Sequence, residues 1–198
     1  MKKLLIATNN KGKIQEFQAL LKGIPFGLVT PGQIGLKLEV EESGDSYQSN
    51  ARIKALAFAE ASGLPTLADD SGLEVDALNG EPGIRSARYA GSGATDFNKV
   101  DYLLSKLKDI PQENRTARFK CVIAVARQDG KIEYCEGQCE GLITFEARGA
   151  AGFGYDPIFL FPDLGKTMAE LPEEVKNRIS HRGRAAQAAV KVLRSLGQ

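Results

Sequence analysis

The segment PTLADDSGLEVD, residues 65–76, decides how the fold is predicted. It predicts a short buried strand that ends in two adjacent carboxylates, Asp69 and Asp70, followed by a Ser-Gly turn and an alternating strand over residues 73–78. Neighbouring acids repel each other, and burying either is costly unless a cation or hydrogen bonds compensate. Two explanations are open: a divalent metal at the strand end, where α/β proteins keep their ligands, or an Asx-turn in which Asp70 caps the bend.

Composition bounds the class of protein. With 198 residues, 42% of them hydrophobic, the chain fits one α/β-sized domain with an ordinary core. A net charge of +1 gives no general attraction to nucleic acid or membrane, and no apolar run approaches the roughly 20 residues of a membrane span. The apolar run after Lys3 is too short for a signal peptide, and three cysteines are an odd number, so we expect reduced thiols and a cytoplasmic location.

Polar residues follow the first predicted strand, which covers residues 3–8. The loop Asn9-Asn10-Lys11-Gly12-Lys13 leads into a helix with Ile14 and Phe17 on one face. A helix start offers free N–H groups and a favourable dipole, so this segment suits an anion, although it lacks the Walker A pattern. The alternative is a lysine-rich turn with an asparagine cap.

The remaining pattern favours a mixed sheet. A helix over residues 46–61 places Asn50 and Lys54 one turn apart, and the Asp129-Gly130 turn joins strands predicted over residues 117–126 and 132–140. Helices that alternate with strands early, followed by a hairpin, predict an α/β fold with a mixed central β-sheet flanked by helices.

Two glycine-rich segments and the C-terminal region complete the chain. Residues 79–93 form a long loop with two arginines, and in residues 148–159 glycines flank Phe153 and Tyr155. The second segment suits either stacking on a flat ring or a β-bulge with core aromatics. A helical stretch opens at Pro172, residues 179–183 interrupt it, and a closing helix is predicted over residues 185–196.

The chain carries no nucleophile elbow and no dinucleotide fingerprint. It carries instead three sets of residues: oxygen ligands, phosphate-binding groups and groups suited to a flat ring. These are, in turn, Glu41, Asp69 and Asp70; residues 8–13, Lys54 and Arg88; and Phe153, Tyr155, Lys176, His181 and Arg182. Oxygen ligands beside phosphates indicate Mg²⁺ and metal-assisted attack by water.

Five motifs, in order, give a specific resemblance that covers nearly the whole chain. They are ATNNKGK at residues 7–13, ADDSGL at 68–73, PGI with SARY at 82–89, GFGYDP at 152–157 and SHRG at 180–183. Together they resemble the inosine triphosphate pyrophosphatase family.

That resemblance implies a fold and an activity. We expect a mixed α/β sheet in a single two-lobed domain, residues 1–198, with the lobes around an active-site cleft, and a homodimer. The expected reaction is Mg²⁺-dependent cleavage of the noncanonical purine nucleotides ITP, dITP, XTP and dXTP to the monophosphate and pyrophosphate, which keeps them out of DNA and RNA. A related enzyme with another base preference and a nucleotide sensor without turnover are the alternatives.

The resemblance also assigns roles to residues. Asp70 would be the catalytic proton acceptor and, with Glu41, a magnesium ligand. The substrate would be held by Thr8, Asn9, Asn10, Lys11, Gly12 and Lys13 at the phosphates, by Ser71, by Phe153, Gly154, Tyr155, Asp156, Lys176, His181 and Arg182 at the base and sugar, and by Lys54 and Arg88 at further phosphate contacts. One departure is Ser49, where the family commonly has glutamate.

Overall fold

The computed structural model describes residues 2–197 and consists of seven strands and five α-helices, with short 3-10 turns between them. The strands are β1 Lys2–Ile6, β2 Phe26–Val29, β3 Thr66–Val75, β4 Thr116–Ala126, β5 Ile132–Ile143, β6 Phe159–Phe161 and β7 Lys166–Thr167. The helices are α1 Lys11–Leu20, α2 Tyr47–Ser62, α3 Asp96–Lys106, α4 Glu173–Ile179 and α5 His181–Gly197.

The strands form one mixed sheet in the order β2-β1-β3-β4-β5-β6-β7. β1 pairs in parallel with β2 and β3, whereas β6 pairs antiparallel with β5 and β7. The predicted turn between β4 and β5 is present, with Gly130 at a φ of 80°. The predicted mixed α/β fold is therefore confirmed. No helix within residues 2–197 combines the length and apolarity that crossing a membrane requires.

The chain divides into two compact units. The first comprises the residues up to Asp70, Cys121–Gly137 and the residues from His181 onward; the second comprises Ser71–Lys120 and Gln138–Ser180. The predicted single domain, with two lobes around a cleft, stays a prediction, and its residues 1 and 198 lie outside the described residues.

In the first unit both faces of the sheet are covered. Leu4 and Ile6 of β1 pack with residues of α1 and α5, whereas Leu5 and Ala7 pack with residues of α2. Burial on both faces explains why the residues from Leu4 to Ala7 are all apolar. Gly137 permits close approach of α5, because a Cβ there would collide with the His181 carbonyl oxygen.

In the second unit one face of the sheet packs on α3. Leu73, Val75 and Phe119 share a core with Val100 and Leu103. The other face is polar, as the ion pair between Glu74 and Lys120 shows at 2.9 Å. This alternation is the normal pattern of a half-buried antiparallel sheet.

The sequence predictions about local structure are wrong in two regions, residues 71–78 and the start of the closing helix. The first includes the Ser-Gly turn at residues 71–72: β3 runs unbroken to Val75, because the Leu73 N–H donates to the Ser86 Oγ at 2.9 Å and the chain stays extended. The Asx-turn at Asp70 is excluded with it. A 3-10 turn occupies residues 76–78, where strand was predicted.

The second wrong prediction is the start of the closing helix. α5 begins at His181, not at residue 185, since a single extended residue, Ser180, separates it from α4. Gly183 therefore lies in the first turn of the helix, where glycine costs about 1 kcal/mol relative to alanine.

Arg115 closes the C-terminal end of α3. Its side chain is 1% exposed and donates to the carbonyl oxygens of Leu107 (2.6 Å), Ile110 (2.8 Å) and Thr144 (2.9 Å). The centroid of the Phe145 ring lies 3.9 Å from the guanidinium carbon of Arg115. A cation at a helix C-terminus satisfies carbonyls that lack intrahelical partners and interacts favourably with the dipole.

We expect Arg115→Met to lower the free energy of unfolding by about 2–4 kcal/mol, because three carbonyl oxygens lose a charged donor. Arg115→Lys should be intermediate, since lysine keeps the charge without the planar fork of donors. Urea unfolding measures both changes.

The control is Arg127→Met, which removes an ion pair with Asp129 at 3.2 Å whose side chains are about one third exposed or more. Such pairs contribute about 1 kcal/mol or less. Equal losses in Arg115→Met and Arg127→Met would contradict the role given to Arg115.

Candidate functional site

The predicted anion-binding segment forms the start of α1. Asn10 is its N-cap, and the side-chain oxygen accepts from the Lys13 N–H at 3.2 Å. The Thr8 hydroxyl accepts from the Asn10 N–H at 3.1 Å, which fixes the approach to the helix. Asn9 and Lys11 are exposed, so the start of α1 presents N–H groups and positive charge together.

Asp69 lies among cations at the end of the first unit's portion of β3. Its side chain is 1% exposed and contacts the Lys13 Nζ at 3.0 Å and the Arg182 Nη2 at 3.1 Å. Arg182 also donates to Glu16 at 2.7 Å through Nη1. Burial alone would raise the pKa of Asp69, but Lys13, Arg182 and Lys54 outweigh it and hold the pKa well below its usual range. Asp69 is therefore ionised.

Asp70 has a different environment although it is the next residue. Its Oδ2 accepts from the Asn50 amide at 3.1 Å, and the Lys54 Nζ lies 3.8 Å from its Oδ1. Burial is the main cause that raises its pKa, and the negative charge of Glu42 adds to the effect despite the opposing charge of Lys54. A carboxylate with a raised pKa is a better proton acceptor than an ordinary one.

Lys54 connects these acids. Its ammonium donates to the Glu42 Oε1 at 2.8 Å and to the Asp69 carbonyl oxygen at 2.6 Å. Burial lowers the pKa of Lys54, but the charges of Asp69, Asp70 and Glu42 raise it above its usual value, so the lysine is charged. Glu42, not Glu41, is the acid that meets Lys54, and Glu41 is exposed. The assignment of Glu41 as a metal ligand stays a prediction.

The residues near Asp70 fit a hard divalent cation. Glu42 and Asp70 both lie against the Lys54 ammonium, and their mutual repulsion contributes to the raised pKa of Asp70, so positive charge is favourable there. Residues 2–197 contain no cluster of three or more acidic, histidine or cysteine ligands. Two carboxylates suit Mg²⁺, which commonly takes one or two from the protein and completes its shell with water and phosphate oxygens.

The aromatic loop in the second unit is built around a buried ion pair. Asp156 and Lys176 are 4% and 8% exposed, and their Oδ2 and Nζ atoms are 2.6 Å apart. Asp156 also accepts from the Phe153 N–H at 2.9 Å, and the Lys176 Nζ lies 5.3 Å from the centroid of the Phe153 ring. Gly152 is required here, because its φ is +79° and a Cβ would collide with the Asp156 carboxylate.

Tyr155 faces inward from the same loop. It is 4% exposed, packs in the core of the second unit and donates its hydroxyl to the Ser86 carbonyl oxygen at 3.0 Å. Burial raises its pKa, so the hydroxyl stays protonated. The Ser86 hydroxyl in turn donates to the Gly83 carbonyl oxygen at 2.6 Å. Tyr155 therefore anchors the loop; its predicted contact with a base stays a prediction.

Some of the predicted site residues belong to the first unit and the others to the second. In the first unit Lys13, Lys54 and Arg182 contact Asp69. In the second, Lys176 of α4 pairs with Asp156 of the loop that carries Phe153, Gly154 and Tyr155. His181 is buried in the first turn of α5. Ser71, on β3, and Arg88, the exposed last residue of a 3-10 turn, belong to the second unit.

Sequence reasoning did not assign roles to several residues that the structure places here. These are Glu16, Glu42, Asn50, Ser86 and Asp96. Asn50 had a partial signal, since it lies one helical turn before Lys54. For the others the contact joins distant parts of the chain, and no local pattern encodes it.

These features define an α/β protein in which one unit carries a cationic helix start beside carboxylates, an arrangement suited to anions, and the other unit carries an aromatic loop. The model of the Ham1 family matches residues 4–192. The chain therefore belongs to the Ham1 family.

Similar proteins agree with this assignment. The chain is 52% identical over 194 residues to a protein of Desulforamulus reducens named dITP/XTP pyrophosphatase, covering 98% of this chain and 96% of the relative. A Bacillus subtilis protein of the same name is 46% identical over 193 residues and covers 98% of each. The structure of a HAM1 protein from Coxiella burnetii matches with a TM-score of 0.88 at 41% identity, covering 98% of this chain and 100% of that one. The resemblance found in the sequence is confirmed.

Because Asp69 is ionised and paired, we expect Asp69→Asn to lower the free energy of unfolding by about 3–5 kcal/mol at pH 7. Its folded pKa is depressed below an unfolded value of about 4, so the stabilisation is complete above that pH and is lost as the pH falls. The difference in free energy of unfolding between wild type and Asp69→Asn, measured by urea unfolding, should therefore become smaller below about pH 4.

Asp129→Asn is the control, because that carboxylate is 43% exposed and pairs with Arg127 at the surface. Its effect should be small at every pH. If Asp69→Asn lowered the free energy of unfolding by the same amount at pH 7 and at pH 3, the pairing of Asp69 with Lys13 and Arg182 would be contradicted.

Proposed function

We propose that this protein is a nucleoside triphosphate pyrophosphohydrolase that acts on noncanonical purine nucleotides (ITP, dITP, XTP and dXTP), releases the monophosphate and pyrophosphate, and so keeps these bases out of DNA and RNA. The observation that carries the proposal is the buried Asp70 carboxylate, held by the Asn50 amide and facing the Lys54 ammonium, in the same unit as the Asn10-capped start of α1. Relatives that are 50% and 52% identical to this chain and are named dITP/XTP pyrophosphatase support the proposal.

The first unit supplies the phosphate chemistry. The N–H groups at the start of α1 and the ammonium groups of Lys13 and Lys54 would bind the triphosphate and neutralise its charge. Lys13 is held by Asp69 and Lys54 by Glu42, so both ammonium groups have fixed positions before substrate arrives. Such preorganisation reduces the entropy lost on binding.

Asp70 would act as the general base. Water attacks the α-phosphorus, its proton passes to the Asp70 carboxylate, and the bond from the α-phosphorus to the bridging oxygen breaks, with pyrophosphate as the leaving group. Asn50 fixes the carboxylate by its bond to Oδ2. Positioning and charge neutralisation account for most of the catalysis of phosphoryl transfer, so a protein nucleophile is not required.

Mg²⁺ is the cofactor that we propose. Asp70 with Glu42 would hold it, or Asp70 with Glu41 as the family resemblance implies. When bound, it would neutralise phosphate charge and lower the pKa of water.

The second unit would recognise the base. The Phe153 ring is half-buried beside the Lys176 ammonium and could stack on a purine. Hypoxanthine and xanthine present a 6-oxo acceptor, which suits a fixed ammonium donor, whereas the 6-amino group of adenine offers that ammonium no acceptor. The buried Asp156 carboxylate holds Lys176 in place.

A homodimer and a cytoplasmic location complete the proposal. The homodimer comes from the family resemblance, and the location comes from the odd number of cysteines, which favours reduced thiols. Light scattering on the purified protein would measure the oligomeric state; a monomer at micromolar concentration would contradict the dimer.

The central experiment incubates the protein with ITP and Mg²⁺ and separates the products by anion exchange. We expect IMP and pyrophosphate in equal amounts, with XTP and dITP also cleaved and ATP, GTP and dUTP poor substrates. Release of orthophosphate would overturn the proposal. We expect Asp70→Asn to lower kcat by about 10²- to 10⁴-fold while ITP still binds, because it removes the general base. Unchanged turnover would refute that role, and binding without turnover in the wild type would favour a sensor.

Glu42→Gln and Glu41→Gln form a matched pair of neighbouring isosteric changes. Because Glu42 contacts Lys54 and acts on Asp70, we expect Glu42→Gln to lower kcat/KM by about 10- to 100-fold and to raise the half-saturating Mg²⁺ concentration. The exposed Glu41 should tolerate the same change with little effect. A larger loss in Glu41→Gln than in Glu42→Gln would identify Glu41 as the metal ligand, as the family resemblance implies.

A further inference from the structure

The aromatic loop of the second unit is fastened at three points. The Asp156 carboxylate accepts from the Phe153 N–H at 2.9 Å, the Asp96 Oδ2 accepts from the Gly154 N–H at 2.7 Å, and the Tyr155 hydroxyl donates to Ser86 at 3.0 Å. The peptide groups on both sides of Phe153 therefore donate to carboxylates. Two such bonds fix the backbone from which the Phe153 ring projects.

Asp96 holds the loop from a different element of the structure, α3. It is the first residue of α3 and reaches across 58 residues of sequence to the loop. Its Oδ1 pairs with the Lys99 Nζ at 2.6 Å while Oδ2 takes Gly154, so both oxygens are engaged. Burial would raise the pKa of Asp96, but the hydrogen bonds from Lys99 and Gly154 lower it below its usual value, which keeps the carboxylate ionised.

An acidic residue in the first turn of a helix usually needs no further explanation, since it interacts favourably with the dipole. The hydrogen bond from the Gly154 N–H to Asp96 is not explained by an interaction with the helix dipole. Gly154 has a φ of +63°, a conformation that glycine adopts without strain, and its N–H is presented to the carboxylate. A charged acceptor makes a stronger bond than a neutral one.

We propose that Asp96 is a positioning residue for base recognition: by holding the Gly154 N–H it fixes the Phe153 ring in the orientation needed to stack on the purine. The inference rests on the proposed function, in which Phe153 meets the base. It assigns Asp96 no contact with substrate and no part in the phosphate chemistry.

The inference separates two parts of substrate binding. Loss of the Asp96 carboxylate should weaken the contribution of the base and leave the contribution of the phosphates unchanged. The side chain of Asp96 is 50% exposed, so its removal should also disturb the core of the second unit little.

The experiment compares Asp96→Ala, Asp96→Asn and the control Asp101→Ala, which removes an exposed acid from the same helix. With ITP and Mg²⁺ we expect Asp96→Ala to raise KM about 5- to 20-fold with kcat within about twofold, since one charge-assisted bond is lost. Asp96→Asn, which keeps an acceptor oxygen, should be intermediate, and Asp101→Ala should match the wild type. The inhibition constant of inorganic tripolyphosphate, which has no base, should not change.

Hydrogen exchange supplies a readout independent of catalysis. The Gly154 amide should exchange at least about tenfold faster in Asp96→Ala than in the wild type or Asp101→Ala. An unchanged KM in Asp96→Ala, an equal weakening of tripolyphosphate, or unchanged exchange would each overturn the inference. If the wild type releases no pyrophosphate from ITP, the proposed function itself fails and this inference falls with it; if the wild type is active and Asp96→Ala keeps its KM, this inference alone fails.

Discussion

The buried Asp69 carboxylate is the constraint on which the first unit depends. It accepts from Lys13 on α1 and from Arg182 on α5, and Arg182 reaches onward to Glu16. A carboxylate taken out of water without these cations would become protonated, and without the carboxylate the buried Arg182 would keep only Glu16 as an acidic partner. Two cations and two acids balance one another, so the starts of two helices and the middle of β3 are held together electrostatically. The geometry at the start of α1 follows from that arrangement.

Two adjacent aspartates acquire opposite properties from their surroundings. The cations around Asp69 lower its pKa, whereas burial and Glu42 raise the pKa of Asp70. Alternation along a strand points successive side chains to opposite faces, so neighbours in sequence meet different elements. Asp69 meets α1 and α5, and Asp70 meets α2. Separating the pKa values of paired acids by environment is a general means of giving one a structural task and the other a chemical task.

The fold class and most elements could be predicted from the sequence because periodicity and capping are local. The Ser46 cap of α2, the Thr95 cap of α3 and the Gly130 turn all lie within a few residues of the structure they control. The turn predicted at Gly72 was wrong, and the role of Asp96 was not predicted, for a different reason. Leu73 finds its partner on Ser86, and Asp96 finds Gly154, so the deciding hydrogen bonds join distant segments. Glu41 and Glu42 are likewise equivalent locally, and the path of the chain decides which one meets Lys54.

Asn50 limits how this protein can be redesigned. The fully buried amide donates to Asp70 with its nitrogen and accepts from the Gly44 N–H with its oxygen, so it links the segment after Glu42 to the proposed base. Among side chains of this length, an amide alone can donate and accept at the same time. Aspartate would add a third carboxylate, and leucine would leave both partners unsatisfied. A library that diversifies α2 to alter substrate choice should therefore hold position 50 constant and vary the exposed face of the helix.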